Sequence, residues 1–143
     1  MLRNLGIVQT SFHVPRFRAN ALRRLGGRSL LEWVVRRVTD SMRLDGVVVV
    51  VCEPEDCRAV GRLVPSDVPV VCGEGEDALD RFSRALEQYQ AEGMVRVLGD
   101  NFFIDPGLID RLVTTAEAHP NSDGRRAISR SPCPWRARCR SAR

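Results

Sequence analysis

VLGDNFFIDPGLID, residues 97–110, is the stretch on which the fold of this chain turns. It grows out of an apolar run, Met94 to Leu98 with Arg96 inside it, that predicts a short buried strand ending at Gly99. Asp100 then falls just past the strand's carboxyl end, where open α/β sheets place their ligands. Pro106 suits a first helical turn, because an N–H there would have no intrahelical partner, and Asp105 before it is a natural N-cap. Strand, exposed carboxylate, tight loop and capped helix together suit a magnesium-and-phosphate site. Mg²⁺ takes one or two hard carboxylate ligands and completes its shell with phosphate oxygens.

Outward from that stretch, strands and helices alternate. Leu5 to Gln9 is a first strand, and Gly46 to Cys52 (GVVVVVC) is a second whose unbroken valines predict burial on both faces, as in a parallel sheet. Val68 to Cys72 is a third, interrupted by Pro69 and therefore expected at a sheet edge. Leu30 to Thr39 sets Leu30, Leu31, Val34, Val35 and Val38 on one helical stripe, with Arg36 and Arg37 outside. Pro54 to Leu63 opens on proline, with Glu55 and Asp56 near the positive end of a helix dipole. Asp77 to Ala91 repeats Leu79, Phe82, Ala85, Leu86 and Tyr89 at helical spacing. Its outer face sets Asp77–Arg81 and Asp80–Arg84 for i,i+4 pairing, each worth about 0.3 kcal/mol. Pro106 to Ala118 is the last helix. This alternation predicts an α/β protein: a three-layer, mostly parallel, doubly wound sheet with right-handed crossovers.

Composition narrows the function. The 143 residues suit about one domain, and 43% apolar content suffices for a core. No run approaches the roughly 18 apolar residues of a membrane helix, and the N-terminus lacks a secretory pattern, so a cytoplasmic protein is expected. All 18 acids precede residue 125, leaving residues 1–124 at −3, whereas residues 125–143 hold seven Arg and no acid. A general nucleic-acid-binding surface is not implied by a mildly acidic body. Every basic residue is Arg, which excludes Schiff-base chemistry and a phosphate-loop lysine.

Cys52, Cys57, Cys72, Cys133 and Cys139 lack metal-type pairing, so reduced, partly buried thiols are expected rather than zinc ligands. Residues 1–124 form the expected domain. Residues 125–143 have no apolar period and are expected to be a disordered basic tail. Their abrupt loss of acids favours a shifted reading frame or truncation scar over a basic interaction tail.

LGIVQT, LRRLGGRSLLEWVVRRV, GEGEDALDRFSRAL and VRVLGDNFFIDPGLID, in this order over roughly residues 5–120, resemble the SpsF-like cytidylyltransferases. These are relatives of the acylneuraminate and deoxy-octulosonate cytidylyltransferases and have the glycosyltransferase-A-type, Rossmann-like fold. The resemblance implies that a sugar hydroxyl attacks the α-phosphate of CTP with Mg²⁺, releasing pyrophosphate and forming a CMP-sugar for surface polysaccharide. CTP and a sugar are thus the implied partners. Asp100 matches the family's metal-binding aspartate and Arg16 its phosphate-loop arginine. Gln9, Arg16, Gly73, Asp77, Arg81 and Arg96 fall at its nucleotide-binding positions, and Arg18 is a nucleotide-binding candidate by its charge alone. Helix capping explains Asp105 and competes for Asp77, and Arg96 either faces the site or pairs with a helix acid.

The first loop departs from the family. Relatives carry arginine, glycine, a second arginine and Pro-Gly-Lys there, whereas SFHVPRFRAN places Ser11, His13 and Arg18-Ala19-Asn20 at those positions. Only Arg16 is kept, with Arg18 as a substitute charge. Glycine lets backbone N–H groups approach phosphate in conformations a Cβ forbids, so this loop holds a triphosphate less well. Gly26-Gly27-Arg28 matches a later family turn that leads into a helix. Family chains continue past the position of residue 124 with sugar contacts and dimer contacts, so a homodimer is implied only through that region.

Overall fold

Leu5, Ile7 and Val8 are completely buried, so the first strand is the middle of a sheet covered on both faces. The computed structural model describes residues 2–73 and 78–119. Its elements are β1 (Leu2–Thr10), α1 (Pro15–Leu22), β2 (Arg24–Leu25), β3 (Arg28–Ser29), α2 (Leu30–Thr39) and β4 (Gly46–Val51). A 3-10 turn (Pro54–Asp56) then leads into α3 (Cys57–Gly61), β5 (Val70–Cys72), α4 (Ala78–Tyr89), β6 (Ala91–Leu98) and α5 (Pro106–Ala118). The main sheet is parallel throughout in the order β5-β4-β1-β6, and Leu5 of β1 aligns with both Gly46 and Met94.

Alternate residues of each strand build two cores. Val8, Val49, Val51 and Val97 pack beneath Leu31, Val34, Val35 and Val38 of α2 and Ile109 of α5. Leu5, Ile7, Val48, Val50 and Val71 pack beneath Phe82 and Ala85 of α4 on the opposite face. The expected three-layer α/β architecture is therefore present.

Local chemistry explains the best-defined boundaries. The Ser29 hydroxyl accepts the Glu32 N–H at 3.0 Å and so caps α2, while Arg28 and Arg36 flank the Glu32 carboxylate at 3.4 and 2.9 Å. Asp105 accepts the Gly107 N–H at 3.0 Å and starts α5 at Pro106. Gly26 and Gly27, with φ of +59° and +82°, turn β2 into β3; this left-handed pair is what a tight hairpin requires.

Several expectations need correction. The first loop is not open chain: Pro15 starts an eight-residue helix, α1, with Ala21 buried beneath it. Pro54 to Leu63 splits into the 3-10 turn and a five-residue α3. β6 is not buried along its length. Among the described residues it has only β1 as a neighbour, and Met94 and Leu98 remain 38% and 40% exposed. Leu79 lies outside the apolar stripe of α4 at 67% exposure. Asp80 and Arg84, both exposed, do not pair with each other, because water competes well for two solvated side chains. Finally, Cys57 and Cys72 are joined as a disulfide, with Cα atoms 5.9 Å apart, and Cys52 alone is free among the described cysteines. Pairing across α3 and β5 is a tertiary juxtaposition that the spacing of the cysteines did not reveal. The expectations for Asp77, the Asp77–Arg81 pair and the tail fall outside the described residues.

Two carboxylates fasten the far side of the framework. Asp110 of α5 accepts the Ser41 hydroxyl at 2.6 Å and the Arg43 N–H at 3.1 Å. The Ser41 bond first, and the backbone N–H groups after it, hold the Asp110 carboxyl below the usual carboxylate range. Asp45 is lowered likewise by the Asn4 and Arg3 N–H groups, which donate at 2.9 and 2.8 Å. With depressed native values, the unfolded chain takes up protons first as pH falls. The stability from these bonds is complete above the unfolded value of about 4 and is lost as pH drops through the lower native values. Thermal melts should hold steady from about pH 7 to 5 and decline below about 4, and Asp110→Asn should make that decline shallower.

Candidate active site

Because the four strands are parallel, their carboxyl ends form one rim. Gly99 closes β6 against β1, its N–H donating to the Gln9 carbonyl at 2.8 Å. A Cβ at residue 99 would stand 3.1 Å from the Gln9 carbonyl oxygen and 3.1 Å from Leu31 Cδ1, so a larger residue would have to displace both by a few tenths of an ångström. Asp100 is thereby fixed beside the end of β1. A tight turn follows: Asn101 N–H donates to the Leu98 carbonyl at 3.0 Å and Phe102 N–H to the Asp100 carbonyl at 3.1 Å. The Asp100 carboxylate makes no hydrogen bond or ion pair among the described residues. A half-buried carboxylate with no partner among the described residues is available to an exogenous ligand. Gly99→Ala should push Gln9 and Leu31 aside, destabilising the chain by about 1–3 kcal/mol in urea titration and displacing Asp100.

Side chains from three strands meet on the α4 side of the rim. Arg96 Nε donates to Gln9 Oε1 at 2.6 Å, and Gln9 Nε2 donates to Cys52 Sγ at 3.3 Å. The Arg96 guanidinium also lies 5.6 Å from the centre of the Phe82 ring. Among the described residues Arg96 is thus held by an amide and an aromatic face, and no helix acid pairs with it. At the β5 end, the largely buried Arg81 side chain lies across Gly73, and a Cβ there would fall 2.9 Å from Arg81 Nε. Gly73 is small because Arg81 occupies the space beside it.

The structure therefore joins Gln9 to Arg96 and Gly73 to Arg81, with Asp100 standing between β1 and the turn. Arg16 and Arg18 are exposed on α1 and form no ion pair among the described residues. Asp105 is occupied as a helix cap. One rim residue was missed. Glu53, just past β4, accepts the Ser11 hydroxyl at 2.7 Å and the Phe12 N–H at 3.2 Å, and so ties down the segment that leads into α1. The rule that singled out Asp100, a carboxylate just beyond a parallel strand, applies equally to Glu53 after the valine run.

The donor set fits a divalent cation to a limited degree. Asp100 offers hard oxygen, and among the described residues no three His, Cys, Asp or Glu side chains cluster as a closed metal cage. That matches an ion held by one carboxylate plus substrate oxygens.

An uncharacterised protein of Methanocaldococcus jannaschii is 33% identical over 113 residues, covering 78% of this chain and 46% of its own length. The spore coat polysaccharide biosynthesis protein SpsF of Bacillus subtilis is 31% identical over 114 residues, covering 76% of this chain and 48% of its own. The chain spans about half the length of the curated relatives it matches. Among solved structures, CMP:2-keto-3-deoxy-manno-octonic acid synthetase complexed with CTP superposes with a TM-score of 0.68 at 16% identity. That superposition covers 83% of this chain and 49% of the other and shows a shared fold. Residues 16–142 match the MobA-like NTP transferase domain, and the chain belongs to that nucleotidyltransferase family.

Proposed function

We propose that this chain forms the nucleotide-binding half of a cytidylyltransferase that transfers CMP from CTP to a sugar hydroxyl in polysaccharide biosynthesis. Residues 1–124 are the catalytic domain in this reading, residues 125–143 a basic tail, and the cytoplasm its location. The observation that carries the proposal is Asp100: a carboxylate without a partner among the described residues, held at the carboxyl rim of a parallel sheet by Gly99. Asp100 would hold Mg²⁺, which when bound neutralises phosphate charge. Arg16, with Arg18 beside it on α1, would meet the triphosphate, and the Gly73–Arg81 pair would flank the base. Gln9 and Arg96 stiffen the floor between them. Such a reaction needs positioning and charge neutralisation more than covalent catalysis. SpsF, with its polysaccharide role, and the CTP-bound synthetase fold support this choice of substrates.

Pyrophosphate release from CTP and Mg²⁺ in the presence of an acidic sugar is the direct test. Release that requires both substrates supports the proposal, and no release with any acidic sugar overturns catalysis by this chain. One observation favours a second reading, a nucleotide-binding module without turnover. The segment that should wrap the triphosphate is tied to Glu53 and continues into helix α1. Calorimetry with Mg-CTP separates the two: binding without pyrophosphate release selects the module.

A further inference from the structure

The turn after Asp100 carries an aromatic ring that is left out of both cores. Phe103 is 95% exposed, whereas its neighbours are anchored: Phe102 packs against the core and Ile104 is buried. Ile104 N–H donates to the Asn101 carbonyl at 3.2 Å, and Arg37 Nε donates to the Ile104 carbonyl at 3.3 Å. The backbone on both sides of Phe103 is thus fixed, and the ring is presented to solvent by a braced turn. Single exposed hydrophobics on a protein surface need no explanation. A phenyl ring held out three residues from a candidate ligand-binding carboxylate that has no partner among the described residues is a different case.

Topology says which substrate it would meet. The sheet order is β5-β4-β1-β6, with Gly73 and Arg81 at the β5 end and Asp100 at the β6 end of the rim. If the nucleoside lies by β5 and its phosphates reach Asp100, the turn beyond β6 faces the group that joins the α-phosphate from the other side. That group is the acceptor. We infer that Phe103 is a stacking platform for the acceptor sugar, its ring covering the C–H face of a pyranose. A sugar ring presents hydroxyls at its edge and apolar C–H groups on its face, and the electron-rich face of phenyl complements the latter. The inference rests on the cytidylyltransferase reading above.

The test is steady-state kinetics of Phe103→Ala and Phe103→Trp in the full chain, with CTP and sugar varied separately. Because the ring is exposed, neither change should alter the melting temperature. Phe103→Ala should raise KM for the sugar about ten- to a hundredfold, in line with single aromatic stacking contacts, and leave KM for CTP unchanged. Phe103→Trp should keep the wild-type KM. An unchanged sugar KM in the alanine variant overturns the inference, as does a rise confined to CTP, which would make the ring a base platform. Absence of turnover in the wild type overturns the parent reading instead.

Discussion

Asp100→Asn should lower pyrophosphate release at saturating CTP by about 10²–10³-fold, the usual cost of removing one group that stabilises transition-state charge. The substitution keeps the size of the side chain and removes only its charge and one acceptor oxygen. Since the carboxylate makes no bond to the described protein, its loss should leave the melting temperature unchanged. The split between a lost rate and an intact fold is the diagnostic. Asp105→Asn provides the contrast: Asp105 caps α5 through the Gly107 N–H, and Asn is an equally good cap, so activity and stability should both persist. Turnover that survives Asp100→Asn would remove Asp100 from the chemistry.

The second large effect is on stability. The Cys57–Cys72 disulfide closes a loop across 15 positions and ties α3 to the end of β5. Closing a loop of that size restricts the unfolded chain by about 3 kcal/mol. Reduction, or Cys57→Ser, should therefore lower unfolding free energy by about 3 kcal/mol and the melting temperature by roughly 10 °C. Cys52→Ser, at the free thiol, should be close to neutral, losing only its contact with Gln9 Nε2. Equal melting curves with and without reductant would show that the bridge does not restrict the unfolded chain in solution. β5 is an edge strand of three residues, so native-state hydrogen exchange should show its end loosening first.

The parts of the fold that announced themselves did so through local chemistry. Helix α2 begins and ends at Leu30 and Thr39 as its pattern predicts, because Ser29 and Glu32 form a capping pair before an unbroken apolar stripe. Helix α5 was equally plain from Asp105 and Pro106. The valines of β4 could be nothing but a strand covered on both faces, and Pro69 correctly kept β5 to an edge. Asp100 was legible because one glycine separates it from such a strand. What stayed hidden depended on contacts between distant segments. α1 is short and polar, and its stability comes from Ala21 and from Phe12, just ahead of it, entering the core. The Arg96–Gln9–Cys52 chain, the Glu53 tie and the disulfide each join residues from different strand ends. Leu79 repeats at the right spacing and still faces water, because periodicity marks a stripe without saying where the covering sheet stops.

The position of β1 has a consequence for how the molecule comes into being. β1 precedes in the chain both strands that flank it, so Leu5 must wait for Gly46 on one side and Met94 on the other. Both pairings close long loops, so folding is governed by distant encounters and is slow for a domain of this size. On the ribosome one hydrogen-bonding edge of β1 stays unpaired until β6 has emerged, and the nascent chain is open to misassociation throughout that interval.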